Sequence, residues 1–220
     1  MSVPEYTEKH GVLHQDLAFP YRFLKPANAS GECLFLLHGS GVDETTMLPI
    51  AKQIAPDATL VAVRGRLPQE YGFRWFERIT PTRFEQASIR AETSAFAAFA
   101  SEAARRHRLD LAQATFLGYS NGANLVSSLM LLHRGLVRKA ALLRAMPVLD
   151  DMPATDLEGT RALIIAGAAD ETYGSFAPAL VTLLHGRGAE VDARIVASGH
   201  DIGGPDVAIV RQWMAAPAAA

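Results

Sequence analysis

The sequence predicts an α/β fold with a mostly parallel central sheet and helices on both of its faces. Short apolar or β-branched runs alternate with longer segments in which apolar residues recur every three or four positions, as strands and amphipathic helices do. The chain has 220 residues, of which 49% are hydrophobic, so it can bury one substantial core. A serine flanked by glycines also separates one strand from the helix that follows it. We therefore expect a single domain over residues 1–220.

The predicted strands are short runs rich in apolar and β-branched residues. In chain order they are Cys33 to Leu37, Thr59 to Val63, Thr115 to Leu117, Ala140 to Leu143, Leu163 to Ala166 and Val191 to Val196, with extended pieces around Leu13 to Leu24. Because the carboxyl ends of parallel strands meet at one edge of a sheet, residues that follow these strands are expected to lie near one another.

The predicted helices carry apolar residues at three- and four-residue spacing. They run over Met47 to Ile54, Gln86 to His107, Ala123 to His133, Phe176 to Arg187 and Val207 to Met214. In the second helix, Ile89, Phe96, Phe99 and Ala103 form one stripe, which predicts a helix that packs on the sheet.

One connection is longer than most connections in such folds. Residues 64–85 show no convincing periodicity, and loops of this length are usually functional or disordered. The segment holds Tyr71, Phe73, Trp75 and Phe76, which is too much aromatic surface for a solvated linker. Packing on the protein and lining a substrate pocket are both compatible with this content.

Composition argues against several classes of partner. Lys and Arg total 21 and Asp and Glu total 23, a formal net charge of −2, so no global basic field recruits nucleic acid or anionic membrane. Cys33 is the single cysteine, and His and Cys are not clustered at zinc-binding spacings, which predicts no metal site. Residues 1–8 carry acids and a proline in place of a signal peptide's basic start and apolar run. A cytoplasmic protein that acts on a small molecule is expected.

The segment Gly118-Tyr119-Ser120-Asn121-Gly122 reads G-x-S-x-G and lies between a predicted strand and a predicted helix. In that context the motif forms a sharp turn that exposes a nucleophilic serine. Positions two before and two after the serine come so close to other backbone that side chains would clash, which explains both glycines. The start of the helix aims backbone N–H groups at developing negative charge, with the N–H of Asn121 as the obvious donor.

The first core strand runs into His38-Gly39-Ser40-Gly41-Val42-Asp43. In hydrolases with such a serine turn, the loop after this strand supplies a second donor to the oxyanion, so the N–H of Ser40 is predicted to join that of Asn121. Asp43 is expected to cap the following helix or to anchor the loop. His38 lies beside the glycines and is expected to fix the loop's geometry.

A serine nucleophile needs an imidazole base, itself oriented by a carboxylate, and the chain order in this architecture is serine, acid, histidine. His200 follows the last predicted strand and is the candidate base, and Asp170 follows the strand before it and is the candidate acid. Asp150 and Asp151 follow the preceding strand and are the alternative acids.

These motifs together resemble the phospholipase/carboxylesterase family of small α/β-hydrolases, which includes bacterial carboxylesterases and relatives of the acyl-protein thioesterases. The matching segments span nearly the whole chain in the right order: Leu37 to Glu44, Arg64-Gly65, Arg74-Trp75-Phe76, Gly118 to Asn124, Gly167 to Asp170 and Gly199-His200. Ser40 and Asn121 depart from the leucine and glutamine that are usual in the thioesterase branch, which favours an esterase.

The resemblance implies an α/β-hydrolase fold without a cap domain, and a two-step acyl transfer through an acyl-serine that needs no metal or organic cofactor. Trp75 and Phe76 match a segment that lines the acyl pocket in relatives, with Tyr71 beside them, so esters of small or medium acids are expected. A lysophospholipase, an acyl thioesterase or a dienelactone-type hydrolase is the alternative enzyme. A ligand-binding protein that keeps the fold without turnover is the alternative outside enzymes. A homodimer is compatible with the sequence.

Overall fold

The computed structural model describes residues 10–69 and 71–216, and their main feature is one eight-stranded sheet. The strands in this part of the chain are β1 (Leu13–His14), β2 (Tyr21–Leu24), β3 (Cys33–Leu37), β4 (Thr59–Val63), β5 (Leu67–Gln69), β6 (Gly72–Arg74), β7 (Arg78–Thr80), β8 (Arg83–Phe84), β9 (Thr115–Tyr119), β10 (Lys139–Leu143), β11 (Arg161–Gly167) and β12 (Glu190–Val196). The order across the main sheet is β1-β2-β4-β3-β9-β10-β11-β12. From β4 to β12 neighbours are parallel, whereas the β1–β2 and β2–β4 pairs are antiparallel. The predicted mostly parallel sheet is therefore confirmed.

Helices cover both faces of this sheet, as predicted. Their bounds are α1 (Leu48–Ile54), α2 (Gln86–His107), α3 (Asn121–Leu132), α4 (Ala177–His185) and α5 (Gly204–Ala215). Buried side chains of α2, α3 and α4 belong to one apolar core, and those of α1 and α5 belong to the core on the opposite face. Alternation along β3 divides the strand between the two cores, since Phe35 and Leu37 join the first and Leu34 and Leu36 the second.

The long helix α2 shows why the sequence folds locally as predicted. The carboxylate of Glu85 caps its start by accepting from the N–H groups of Ala87 and Ser88. The helix ends where Arg108 takes a left-handed φ of 55°. Its apolar stripe is buried in the first core, as the spacing of Phe96 and Phe99 predicts.

The structure differs from expectation in the segment 64–85, and at Asp43 it excludes one of the two alternatives. Residues 64–85 hold two hairpins, β5–β6 and β7–β8, rather than an irregular loop. Their strands have only two or three residues, too few for a period-two pattern to be recognisable. Asp43 does not cap α1, which begins at Leu48 without a side-chain cap. Its carboxylate accepts from the N–H and the hydroxyl of Thr45, so it stabilises a turn before the helix.

Residues 144–160, between β10 and β11, contain neither helix nor strand, so no cap domain is inserted at this point. Within residues 10–69 and 71–216, none of the helices has the length and apolar character needed to cross a membrane. The N-terminal segment on which the expected location rests lies outside the described residues. Cys33 is 6% exposed at the start of β3, and burial raises the pKa of its thiol to about 12.

Candidate active site

Ser120 occupies a sharp turn between β9 and α3. Its backbone has φ 52° and ψ −116°, a conformation that residues with a side chain rarely adopt and that stores strain. A neighbouring strand stabilises this turn, because the N–H of Ser120 donates to the carbonyl of Leu143 at the end of β10 over 2.8 Å. The side chain is thereby presented at the carboxyl edge of the sheet.

The two glycines that flank this turn are required by close backbone approaches. A Cβ on Gly118 would lie 2.6 Å from the Cα of Ala123, and a Cβ on Gly122 would lie 2.3 Å from the carbonyl oxygen of Leu37. Both distances are far below van der Waals contact, so the predicted clashes are real. The second approach also presses the serine turn against the end of β3.

Ser120, His200 and Asp170 form one hydrogen-bonded chain. The Oγ of Ser120 lies 2.8 Å from Nε2 of His200, and Nδ1 of His200 lies 2.9 Å from Oδ2 of Asp170. Both contacts are satisfied when the proton of the neutral ring is on Nδ1, so that Nε2 accepts from the serine hydroxyl. Asp150 and Asp151 are exposed, and Asp151 pairs with Arg90 instead.

The environment of Asp170 favours a carboxylate. Its Oδ1 accepts from the backbone N–H groups of Thr172 and Tyr173 at 2.9 and 3.0 Å. Burial alone raises the pKa of this group, but these N–H groups and the His200 ring outweigh burial and hold the pKa below its ordinary value. The charged form is thus available to orient His200 and to stabilise its imidazolium.

The loop that carries His200 is held at three successive carbonyls. Arg144 donates from Nε to Gly199 O over 3.0 Å and from Nη2 to Asp201 O over 2.9 Å. The hydroxyl of Tyr119 donates to the carbonyl of His200 itself over 3.2 Å. Three carbonyls fixed in sequence leave the backbone beneath the imidazole little freedom.

Arg144 is itself anchored by a buried ion pair. Its guanidinium contacts both carboxylate oxygens of Asp206, at 2.7 and 3.1 Å, and neither side chain is more than 1% exposed. Arg144 follows β10 with φ 53°, and Asp206 lies in the first turn of α5. Sequence reasoning missed both residues, although an arginine directly after a core strand was an available signal.

The two expected oxyanion donors come from two segments, the loop after β3 and the start of α3. Among the described residues, the N–H groups of Ser40 and Asn121 donate to no protein acceptor. Asn121 is the first residue of α3, where N–H groups have no partner within the helix. Gly39 allows the Ser40 loop to approach, because a Cβ there would lie 2.9 Å from the Tyr119 ring.

His38 fixes the loop geometry, as expected. Its ring is fully buried, Nε2 accepts from the N–H of Gly65 over 3.0 Å, and Nδ1 donates to the carbonyl of Gly39 over 2.6 Å. Burial lowers the pKa of His38 to about 4, so the ring is neutral at physiological pH. It joins the Ser40 loop to the start of the 64–85 segment.

Trp75 and Phe76, two of the three aromatic residues predicted for a substrate pocket, lie in the core instead, and the role of Tyr71 stays a prediction. Trp75 and Phe76 have no exposed surface and belong to the first core, whereas Tyr71 is 83% exposed. Trp75 connects the two segments that carry the expected oxyanion donors. Its Nε1 donates to the carbonyl of His38, and its N–H donates to Oδ1 of Asn121. Packing on the protein therefore accounts for Trp75 and Phe76.

Tyr173 is a site residue that sequence reasoning missed. It is 6% exposed, its ring meets the His200 ring edge-on at 5.2 Å between centroids, and its hydroxyl lies near the side chains of Ser120 and Asn124. Burial raises the pKa of its phenol. No local sequence pattern marks this tyrosine, because it reaches the serine only through the fold.

An apolar groove of about 660 Å³ lies between α4 and β12. It is lined by Asp170 and by small or aliphatic residues such as Ala177, Val181 and Ile195, but by neither Ser120 nor His200. The groove therefore borders the carboxylate of Asp170 but does not reach the serine.

Proteins of known structure resemble this chain over most of its length. A carboxylesterase from Mesorhizobium loti is 76% identical, and the match covers 94% of this chain and 99% of the other with a TM-score of 0.92. The Bacillus cereus carboxylesterase is 27% identical over 97% of this chain and 98% of its own, with a TM-score of 0.86. A phospholipase/carboxylesterase from Dyadobacter fermentans shares the fold at 16% identity, covering 92% and 99%, with a TM-score of 0.70. The sequence matches no protein-family model.

Proposed function

Because this chain belongs to the phospholipase/carboxylesterase family of small α/β-hydrolases, we propose that it hydrolyses carboxylic esters of small or medium acids through an acyl-serine. The observation that carries the proposal is the chain of contacts from Ser120 to His200 to Asp170, at 2.8 and 2.9 Å. The N–H groups of Ser40 and Asn121, which have no acceptor among the described residues, support it. This arrangement combines a nucleophile, a base, an orienting acid and an oxyanion site.

Acylation begins when Nε2 of His200 removes the proton of Ser120 as its Oγ attacks the ester carbonyl. The developing oxyanion accepts from the N–H groups of Ser40 and Asn121, and removal of one such donor typically costs about 3 kcal/mol of transition-state stabilisation. Asp170 stabilises the imidazolium of His200. The ring then protonates the leaving alcohol, and the carbon–oxygen bond of the ester breaks.

Deacylation repeats these steps with water. His200 removes a proton from the water, the oxygen attacks the acyl-serine carbonyl, and the same N–H groups bind the second oxyanion. Return of the proton from His200 to Oγ of Ser120 releases the acid. No metal or organic cofactor takes part.

The substrate range follows from what surrounds the serine. Residues 144–160 carry no helix or strand that could cover the site, which supports an open cleft. Esters of long acids, lysophospholipids and thioesters are the alternative substrates, and a protein that binds esters without turnover is the alternative outside enzymes.

Hydrolysis of p-nitrophenyl esters from acetate to palmitate tests this proposal. Ser120→Ala is expected to lower kcat by on the order of 10⁶-fold, because the acyl-enzyme cannot form. Ser101→Ala is the matched control, since the Ser101 hydroxyl donates only to its own helix at Ala97 O. We expect the highest kcat/KM at short or medium chains. Equal rates in Ser120→Ala and wild type would contradict the mechanism, and a peak at palmitate would favour the long-chain alternatives.

A further inference from the structure

Arg74, in β6, places a guanidinium beside the oxyanion site. Its Nη2 lies 3.4 Å from the Oγ of Ser40, whose own N–H is one of the two donors proposed above. The Nε of Arg74 is buried and has no hydrogen-bond partner among the described residues. A half-buried cation with an unsatisfied donor is costly unless something else pairs with it.

A second cation lies close by. Arg78, in β7, is exposed and close enough to contribute to lowering the pKa of Arg74, for which burial is the larger cause. Both arginines also act on Tyr173, where they oppose the rise in phenol pKa that burial causes. Since Tyr173 contacts the His200 ring and lies near Ser120, both cations lie within electrostatic range of the site.

In the part of the chain that the structure describes, the two arginines have no carboxylate partner. Among residues 10–69 and 71–216, no Asp or Glu forms an ion pair with Arg74 or Arg78. Two other arginines of the segment 64–85 are paired, Arg64 with Glu44 and Arg66 with Glu92. An unpaired positive charge of this kind at the mouth of a site attracts anionic ligands and raises their local concentration.

We propose that the preferred substrates are esters that carry a carboxylate, and that Arg74 binds this carboxylate with Arg78 at the rim. The inference rests on the proposed function and adds the substrate class to it. An arginine guanidinium suits this role because its donors match the two oxygens of a carboxylate.

The test compares charged esters with neutral esters of similar size. On the acyl side, mono-4-nitrophenyl glutarate is compared with 4-nitrophenyl hexanoate, after subtraction of the uncatalysed rates. On the alcohol side, 3-acetoxybenzoate is compared with 3-methylphenyl acetate. In at least one of the two comparisons, we expect wild type to prefer the charged ester by tenfold or more in kcat/KM, and the comparison that shows it identifies the position of the carboxylate. The kcat/KM of the charged ester should fall as ionic strength rises, while that of the neutral ester should not.

Substitutions at Arg74 and Arg78 test whether these side chains cause the preference for charged esters. Arg74→Gln should lower the charged-to-neutral ratio at least tenfold, and Arg74→Lys should lower it by less, because lysine keeps the charge but not the two-donor geometry. Arg78→Gln should lower the ratio two- to threefold. Arg83→Gln is the control, because Arg83 is an exposed arginine of the same segment. A ratio expressed within one variant is insensitive to a general loss of activity or folded protein.

The outcomes separate this inference from the proposed function. Hydrolysis of the neutral esters with no preference for either charged ester, or a preference that survives in Arg74→Gln, overturns the inference and leaves the esterase proposal intact. Failure of wild type to hydrolyse any of the four esters contradicts the proposed function and the inference together.

Discussion

Two loops border the site, and different kinds of buried polar group hold them. We call the loop of residues 198–203 the His200 wall and the loop of residues 38–43 the Ser40 wall. On the His200 wall, the guanidinium of Arg144 pairs with Asp206 and binds the backbone carbonyls of the loop directly. On the Ser40 wall, Glu44 follows the loop and forms ion pairs with Arg22 and Arg64. The backbone contacts of the loop are made by the neutral ring of His38.

This difference matches what each wall has to do. In the proposed mechanism, the His200 wall holds a ring that becomes a cation during each proton transfer, and an arginine guanidinium is a permanent charge. The Ser40 wall must only hold a backbone N–H in place, and a neutral imidazole can both donate and accept there. The His200 wall should therefore depend on a permanent charge, and the Ser40 wall on a group that titrates.

Loss of Arg144 should have the largest effect on stability. Arg144→Met leaves Asp206 buried without its partner, and breaking such a pair typically costs about 3 to 5 kcal/mol. Urea unfolding should show this loss. The kcat of the folded fraction should also fall, because the carbonyls of Gly199 and Asp201 lose their donor and the loop that carries His200 becomes less fixed. The double variant Arg144→Met, Asp206→Leu should recover most of the stability but not kcat. Full recovery of both would show that Arg144 has no role in positioning His200.

The second largest expected effect is a loss of folding stability at acid pH, through His38 of the Ser40 wall. The pKa of His38 is about 4 in the folded protein and about 6.5 in the unfolded chain, so only the unfolded chain takes up this proton between those values. Stability is unaffected above pH 6.5 and falls as pH drops toward 4, by up to about 3 kcal/mol.

The variant His38→Gln isolates this effect, because glutamine can replace both contacts without titrating. Burial also lowers the pKa of His107 and His133, so the variant keeps part of the acid sensitivity. The difference between wild type and variant in unfolding free energy should shrink as pH falls from 6.5 to 4. A difference that stays constant over this range would contradict the prediction.

Tyr119→Phe should have the smallest effect. It removes one neutral hydrogen bond to His200 O, worth about 1 kcal/mol, and leaves the ring that packs against Gly39. We expect kcat to fall by up to about tenfold with KM nearly unchanged, because ground-state binding does not involve this hydroxyl. A change in KM alone would show that Tyr119 acts on substrate binding instead.

Sequence reasoning succeeded where the signal was local. The serine turn was predictable because Gly118 and Gly122 are required by contacts within and next to that turn. The main strands and helices were predictable from apolar spacing, and the parallel order of the strands indicated that Ser120, Asp170 and His200 would lie at one edge. Their catalytic roles stay predictions until the variants are measured.

Sequence reasoning failed where a residue acts through the fold. Arg144 reaches residues more than fifty positions away, and Tyr173 reaches Ser120 across the sheet edge, so no spacing rule identifies either. Trp75 was assigned to a pocket by the family resemblance, because aromatic content alone does not tell whether a ring points outward or into the core. The two hairpins were missed because their strands are shorter than any periodic pattern.

The buried thiol of Cys33 makes the chain convenient for spectroscopy. As the single cysteine of the sequence, with a pKa of about 12, it stays protonated and slow to react with maleimides at neutral pH. A cysteine introduced at the exposed position of Tyr71 would then be labelled selectively in an otherwise native chain. A fluorophore at that hairpin would report movement near the site while esters bind, without any need to remove a native cysteine first.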